Sequence, residues 1–409
     1  MNTEDDVLET ASVPKPPPLW SYGVLFIAVL AMSSGGIWFA LLTDTPPFMQ
    51  ACWRLLLTSF IQLFGLLYEI KTDKTLDSAF WKKFRDTLPL IAIIGVSLGV
   101  HFASWGWSVA HTSLLDSLLL VSTTPLLLVA LMTTRYIFRL LQARVTRKNS
   151  NEEESVRLDA IVLTPKPEAD DGSHSIEYSS FHRDKETPTP TLFQLICCPL
   201  KPLPPTVLEA IGSIVGFFGV VVLLVAGSNS SDEGHDVTLA GNAAALLGAA
   251  AVLLYLEGGS TCRAWMPLFT YAFPVTFVAA ISAGIASLAF EKGTSFGGLG
   301  PAALFGFLGD WHRFGLAFGS AAVSGIAGHT FANLAVKHVS PLLISVAILW
   351  EPVLGSVIGW LVNVQGAPGT SAIAATPLLM VGALLVILGS RNSGINVFQW
   401  CKTKFTSAQ

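Results

Sequence analysis

The stretch VKHVSPLLISVAILWEP, residues 336–352, has a counterpart in the first half of the chain, VAHTSLLDSLLLVSTTP, residues 109–125. The two segments align without gaps over 17 positions, and both contain a short polar linker, an apolar run and a proline at the same points. Five aligned positions are identical, and the last of them pairs Pro125 with Pro352. The match predicts that the chain contains two related halves.

The composition of the whole chain is typical of a membrane protein. Of the 409 residues, 52% are hydrophobic and 13% are charged, whereas about a quarter of the residues in soluble domains are charged. The apolar residues fall into blocks of about twenty, the helix length that crosses ~30 Å of hydrocarbon. We therefore predict an all-α polytopic membrane protein with ten transmembrane helices. The predicted spans are 20–42, 46–68, 88–109, 112–137, 207–227, 239–258, 267–290, 314–336, 340–363 and 374–391.

Three segments lie outside these spans. Residues 1–19 are acidic and proline-rich, lack the features of a secretory signal, and are predicted to be a disordered cytoplasmic N-terminus. Residues 138–206 contain a tract rich in Ser, Thr, Pro and Asp that buries too little apolar surface to order itself, so we predict a disordered cytoplasmic loop. Residues 392–409 are predicted to be a cytoplasmic C-terminal tail.

Without the long loop, five predicted spans remain on each side of it. Residues 20–137 provide helices 1–4 of the first repeat, 207–227 provide helix 5, and 239–391 provide helices 6–10 of the second repeat. Because each repeat has an odd number of helices, the second must enter the membrane from the opposite side to the first. Such inverted repeats are a common plan of secondary transporters, which bind the substrate near the midplane between the halves.

The distribution of cations predicts the orientation of the chain. If the N-terminus is cytoplasmic, the inner loops and flanks hold 21 of the 24 Lys and Arg residues, and the outer loops hold only Lys292 and Arg313. Since cytoplasmic loops retain cations, we predict that both termini are cytoplasmic. The pattern fits the plasma membrane and an internal membrane equally well.

Three segments carry a family resemblance. They are PPFMQACWRLLLTS (46–59), HTSLLDSLLLVSTTPLLLVAL (111–131) and GHTFANLAVKHVSPLLISVAILWEPVLGSVIGWL (328–361). Together they resemble the drug/metabolite transporter superfamily, specifically its ten-helix EamA-type members, over about 20–137 and 207–391. The resemblance implies a secondary carrier of an amino acid, another metabolite, a nucleotide sugar, a sugar phosphate or a drug. The insertion at 138–206 is longer than the family norm.

Glu351 lies where a charge is costly. Counted from residue 340, it is about 16 Å deep in a ~30 Å core, where a charge costs at least ~2.5–3.5 kcal/mol. Pro352 removes a helical hydrogen bond and should kink the helix, and irregular backbone at this depth is tolerated only against protein or a water-filled cavity. We therefore predict that this face lines the interior, with Pro352 and Pro125 as candidate hinges. A structural role and a transport role for Glu351 both remain open.

Arg54 is the predicted partner of Glu351. Counting along the two spans gives the residues similar depths, about 12 and 14 Å below the outer surface. We expect them to approach within salt-bridge distance in at least one state, with Asp116 as a competing partner for Arg54. The pair could be a structural ion pair, a gate or a binding site for an anionic group, and the sequence leaves these alternatives open.

Other polar residues lie along single faces of the predicted helices. Polar stripes in transmembrane helices turn toward neighbouring helices or toward a cavity. The remaining candidates for substrate binding or gating on such faces are Ser34, Trp38, His101, Trp105, His329 and Asn333. For each histidine, an interhelical hydrogen bond is the competing interpretation.

The sequence contains no recognisable metal-binding or nucleotide-binding motif, and its dispersed His, Asp and Glu residues have no recognisable catalytic spacing. It has no HExxH, Walker-type loop or GxGxxG, and its five cysteines lack metal-ligand spacing. We therefore expect no enzyme activity, no cofactor, no metal site and no nucleic-acid partner.

The expected function is secondary transport of a small organic metabolite by alternating access, within membrane lipid and with a proton or another ion as a candidate for coupling. An amino acid or a nucleotide-related solute fits this expectation. The alternative is a signalling or scaffold protein that transports nothing and acts through its long cytoplasmic loop.

Overall fold

The structure is a computed structural model of the chain, and it describes residues 17–111, 120–138, 141, 205–227, 238–364 and 370–391. The described residues form helices and connecting turns and contain no β-strand. The predictions for residues 142–204 and 392–409 lie outside the described residues, as does nearly all of the predicted N-terminal segment.

The helices follow the predicted spans in order. In the first half they are α1 (Leu19–Ser33), α2 (Gly35–Leu41), α3 (Pro47–Thr72), α4 (Ser78–His111), α5 (Thr124–Phe138) and α6 (Val207–Gly227). In the second half they are α7 (Leu239–Arg263), α8 (Leu268–Phe290), α9 (Trp311–Ser320), a π-helix (Ala321–Thr330), α10 (Phe331–Ala335), α11 (Pro341–Ile348), α12 (Glu351–Leu361) and α13 (Thr370–Arg391). A short 3₁₀-helix, Gly306–Gly309, lies in the loop between α8 and α9.

Five of the described helices are long and apolar enough to cross a membrane. They are Leu19–Trp38, Pro47–Thr72, Ser78–Ser108, Leu239–Arg263 and Leu268–Phe290. The pair Pro341–Ile348 and Val353–Leu361 adds a sixth if it is one span bent by 40°. The protein is therefore all-helical and compatible with a membrane, whereas ten spans and an inverted repeat remain predictions.

The third predicted span, 88–109, is only the second part of a longer helix. α4 begins at Ser78, next to Asp77, whose Oδ1 accepts a hydrogen bond from the Phe80 N–H at 2.7 Å. Residues 78–87 carry several charges, so a criterion based on apolar runs does not count them, although they are helical.

Five helix pairs make the main packing contacts: α6 with α13, α3 with α8, α4 with α7, α4 with α8, and α1 with the π-helix. Glycines permit the close approach of these helices. Between α6 and α13, a Cβ atom built on Gly382 would lie 2.7 Å from the Cα of Gly216. Between α4 and α7, a Cβ atom built on Gly258 would lie 2.6 Å from Cγ1 of Ile94.

A carboxylate at the end of α3 caps the beginning of α8. Pro267 precedes α8 and offers no side-chain cap. Glu69, in the last turn of α3, instead accepts hydrogen bonds from the Phe269 N–H at 2.9 Å and the Thr270 N–H at 2.7 Å. These N–H groups have no partner within their own helix, so an acceptor from outside satisfies them.

The reverse arrangement caps the beginning of α3. Pro46 precedes this helix and also lacks a capping side chain. Glu291, directly after α8, accepts hydrogen bonds from the Phe48 N–H at 2.7 Å and the Met49 N–H at 3.2 Å. Each of the two helices therefore ends in a glutamate that caps the other helix.

The helix that contains Glu351 is interrupted as the proline predicts. α11 ends at Ile348 and α12 begins at Glu351, with a bend of 40° at this break. Within the break, the Trp350 N–H donates to the Ala347 carbonyl, three residues back, at 3.2 Å. Pro352 has no N–H to donate to the Ile348 carbonyl, so the regular helix cannot continue through this point.

The first half of the chain repeats this hydrogen-bonding pattern before Pro125. The Thr123 N–H donates to the Leu120 carbonyl at 3.2 Å. In the alignment of 109–125 with 336–352, Thr123 is the counterpart of Trp350. Related positions of the two segments thus share the same local backbone interruption.

Candidate functional site

Arg54 is a buried cation in the first third of α3. Its side chain is 5% exposed, and its Cζ atom lies 4.7 Å from the centre of the Phe102 ring on α4. Its Nε atom has no hydrogen-bond partner among the described residues. A buried guanidinium nitrogen without an acceptor is costly, so this atom identifies the surroundings of Arg54 as the first place to look for a ligand.

Ser324, in the π-helix, lies close to Arg54. Its Oγ is fully buried and, within the described part of the chain, lacks a hydrogen-bond partner. A Cβ atom built on Gly35 would lie 3.3 Å from Ser324 Oγ and 3.4 Å from Arg54 Nη1. Both polar atoms therefore border the same glycine, at the interruption between α1 and α2.

The Phe102 ring connects Arg54 with two histidines. The ring centre of Phe102 lies 5.2 Å from that of His101 and 5.5 Å from that of His329. His101 Nδ1 lies 2.9 Å from the Gly248 carbonyl oxygen on α7, which makes the interhelical hydrogen bond considered in the sequence analysis. Helices α3, α4 and α7 and the π-helix thus meet around one aromatic ring.

Glu351 lies near this group but is not paired with Arg54. The two charges are close enough to interact electrostatically, yet no salt bridge of 4.0 Å or shorter joins these two described residues. The expected approach within salt-bridge distance is not seen in this structure and stays a prediction for another state. We use the term Arg54 cluster for Arg54, Phe102, His101, His329, Ser324 and Glu351.

Ser34 and Trp38 lie beside the cluster and bond mainly to each other. Ser34 Oγ donates to the Ala31 carbonyl at 2.7 Å and accepts from Trp38 Nε1 at 3.0 Å. Trp105 differs from Trp38, because its buried Nε1 has no hydrogen-bond partner in the described residues. Asp116, the competing partner of Arg54, lies outside the described residues.

Asn333 belongs to a different polar group, although it follows His329 by one α-helical turn in the sequence. Its Nδ2 donates to the Tyr255 hydroxyl at 2.8 Å, and its carbonyl accepts from Arg263 Nε at 2.9 Å. Asn333 lies in α10, beyond the end of the π-helix at Thr330, and its partners come from the second half of α7.

Two further buried polar residues were not among the candidates predicted from the sequence. Arg263, which belongs to the second polar group, ends α7, is 2% exposed and also donates to the Met266 carbonyl. Gln62 donates from Nε2 to Thr330 Oγ1 at 2.9 Å. The i+4 spacing of Arg54, Thr58 and Gln62 was the available signal that one polar face of α3 follows the π-helix.

Helices α9 and α10 and the π-helix between them follow one another directly in the chain. Asn333 lies at the α10 end of this segment, and a surface depression lies at the α9 end. It has a volume of about 210 Å³ and is lined partly by Leu42, Asp44, Asp310, Arg313 and Leu316. These residues belong to α2 and α9 or lie next to them in the chain. Gly35 is the first residue of α2, and Ser324 lies in the π-helix that directly follows α9. In the described part of the chain, no group of three or more His, Cys, Asp and Glu residues could hold a metal ion.

Comparison with known proteins supports the fold only. No protein-family model and no curated protein matches the chain. Fourteen chains of solved structures match it. One of them, from a crystal structure described simply as that of a protein, has a TM-score of 0.57 and 14% sequence identity, and the match covers 91% of this chain and 97% of the other. At this identity, the likeness shows a shared fold.

Proposed function

We propose that the protein is a secondary transporter that moves a small organic solute across a membrane by alternating access, with the Arg54 cluster as the solute site. The observation that carries the proposal is a buried polar cluster in which Arg54 Nε and Ser324 Oγ lack partners among the described residues. Buried polar groups are normally satisfied by protein or water, so groups left open beside each other favour a site that receives a ligand.

Irregular helices around the cluster support this proposal. The α1–α2 interruption borders Arg54, the π-helix carries Ser324, and the α11–α12 break directly precedes Glu351. At membrane depth, irregular backbone is tolerated where it is buried in protein or lines a water-filled cavity. Transporters use interrupted helices of this kind to form substrate sites near the midplane.

The packing of the helices supports two inverted five-helix repeats. In the two proposed repeats, α1 and α2 correspond to α7, α3 to α8, α4 to the segment from α9 through the π-helix to α10, and α6 to α13. The α3–α8 and α6–α13 contacts each join two corresponding helices. The α4–α7 contact corresponds to the contact between the π-helix and α1. The resemblance of the sequence to EamA-type transporters agrees with this arrangement, with both termini in the cytoplasm.

Uptake into liposomes tests the proposal. The purified full-length protein would be reconstituted and offered a panel of radiolabelled amino acids, nucleosides, sugars and carboxylic acids, with and without a pH gradient. We expect saturable uptake of at least one solute, and a loss of roughly 10-fold or more in Glu351→Gln and Arg54→Gln, because charge-assisted contacts contribute about 1.5–3 kcal/mol.

The matched control is Lys337→Gln, which removes an exposed cation at the end of the same segment that carries Ser324. This variant should transport like the wild type. Transport that is unchanged in Glu351→Gln would remove this residue from the mechanism. Absence of uptake for every solute would instead favour the scaffold alternative, which depends on the 138–206 loop.

A further inference from the structure

The Arg54 guanidinium has the properties of an unoccupied anion-binding group. Arginine has five N–H donors and no acceptor, so every one of its hydrogen bonds requires an acceptor from elsewhere. In the described residues Nε has none, and the contact with Phe102 involves Cζ and uses no N–H donor. The nearby acceptor, Glu351, does not bind it within 4.0 Å.

Ser324 provides a second donor at the same place. Its hydroxyl is fully buried, lacks a partner in the part of the chain that the structure describes, and faces Gly35 together with Arg54 Nη1. Because Gly35 has no side chain, both polar atoms can approach its backbone more closely than an added Cβ atom would normally allow. A ligand with two acceptor oxygens on one carbon could accept from both residues.

We propose that the transported solute is an organic monoanion whose carboxylate binds Arg54 and Ser324. This inference rests on the proposed transport function and adds the chemical class of the solute. A planar carboxylate matches the fork of a guanidinium, which binds it through two parallel N–H···O bonds.

The charge of the cluster favours a monocarboxylate over a phosphate. Arg54 is the permanent cation among the cluster residues, and Glu351 contributes a carboxyl group that interacts with it. A phosphate dianion would bring two further negative charges to a single buried cation beside this carboxyl group. In a poorly solvated site such an excess of like charge is strongly unfavourable, whereas a single carboxylate adds only one charge.

Binding to matched carboxylate and amide pairs tests this inference separately from transport. The full-length protein in detergent would be titrated with benzoate and benzamide, hexanoate and hexanamide, and lactate and lactamide, with phenyl phosphate as the phosphate probe. Thermal unfolding followed by tryptophan fluorescence reports binding, since a ligand of the native state raises the Tm. We expect at least one carboxylate to raise the Tm and its amide to leave the Tm unchanged.

Variants show whether Arg54 is the binding group. Arg54→Gln should weaken carboxylate binding roughly 10- to 100-fold, Arg54→Lys should weaken it less because the charge remains, and Lys337→Gln should bind like the wild type. If Arg54→Gln does not fold, Ser324→Ala tests the same site and should weaken binding several-fold.

Equal binding of an amide and its carboxylate, tighter binding of phenyl phosphate, or undiminished carboxylate binding in Arg54→Gln would overturn the inference. Saturable transport restricted to neutral or cationic solutes would also overturn it while leaving the transporter proposal intact. Carboxylate binding that depends on Arg54, without uptake of any solute, would support the anion site and contradict transport.

Discussion

Gly325 shows how tightly single residues are fitted near the cluster. A Cβ atom built on it would lie 2.0 Å from Thr58 Oγ1 and 3.0 Å from Thr58 Cβ. We therefore expect Gly325→Ala to lower the free energy of unfolding by about 1–3 kcal/mol, the usual cost of overpacking a well-filled core. Thermal unfolding of the purified protein would measure the effect as a lower Tm.

Gly23→Ala is the matched control for this substitution. Gly23 lies in α1, and a Cβ atom there would meet nothing within 4 Å. Since alanine is more favourable than glycine inside a helix by roughly 0.5–1 kcal/mol, this variant should be as stable as the wild type or slightly more stable. If both variants unfold at the same temperature, Gly325 does not pack closely against Thr58.

Residues of the candidate site could be predicted from the sequence only in part. Counting along the spans gave Arg54 and Glu351 similar depths, and the structure has them within electrostatic reach. Depth says nothing about rotation around the helix axis, so the neighbours Phe102 and Ser324 could not be found in this way. Arg263 ends its helix, where a charged side chain is usually exposed, but it donates to the Met266 carbonyl in the loop that follows and is buried.

At the scale of helices, the reciprocal caps of α3 and α8 make a testable contribution to stability. Glu291→Gln keeps one acceptor oxygen but removes the negative charge that interacts favourably with the N-terminus of α3. We expect it to lower the free energy of unfolding by about 1 kcal/mol, and Glu69→Gln to do the same at the beginning of α8. The Tm of each variant in detergent would measure this.

The control for the caps is Asp86→Asn, which removes an equal charge from an exposed position on α4. It should leave the Tm unchanged within error. Because the two caps lie at opposite ends of the helix pair, their effects should add in the double variant. If Glu291→Gln and Glu69→Gln have the same Tm as Asp86→Asn and the wild type, the caps do not contribute to stability.

Helix positions could be predicted well from apolar runs, but helix ends and irregularities could not. The second predicted span, 46–68, and the observed Pro47–Thr72 begin within one residue of each other because Pro46 and Pro47 mark the start. The kink before Pro352 was predicted because proline lacks an N–H. The π-helix carries no such marker, since Ala321–Thr330 contains no proline and is rich in small residues.

At the scale of the whole molecule, the proposed topology predicts the side of the membrane on which each loop lies. Thr43 and Lys292 should both face the outside, and Lys74 should face the cytoplasm. All three are exposed in the structure. Single cysteines at these positions, in a variant without the native cysteines, would be treated with a membrane-impermeant thiol reagent in intact and permeabilised cells.

We expect Thr43→Cys and Lys292→Cys to react in intact cells, and Lys74→Cys only after permeabilisation. For a protein of an internal membrane, the same test would use sealed vesicles of that membrane. Labelling of Thr43→Cys and Lys74→Cys from the same side would exclude α3 as a span and, with it, the inverted arrangement of the halves.

The two related halves stay a prediction from two matching segments, which align over 17 positions. Those segments share a linker and a proline, and the structure gives Thr123 and Trp350 the same backbone hydrogen bond. The pairing of α3 with α8 depends on side chains far apart in sequence, so no pattern within either half could predict it.

The carboxylates of Glu69 and Glu291 also restrict how the molecule can move. Sliding α3 past α8 by one helical turn, about 5.4 Å, would pull both glutamates off their targets together and strip four backbone amides of their acceptors. Helices α3 and α8 should therefore move together as one rigid unit. Any movement that opens a passage must then occur in the helices around this unit.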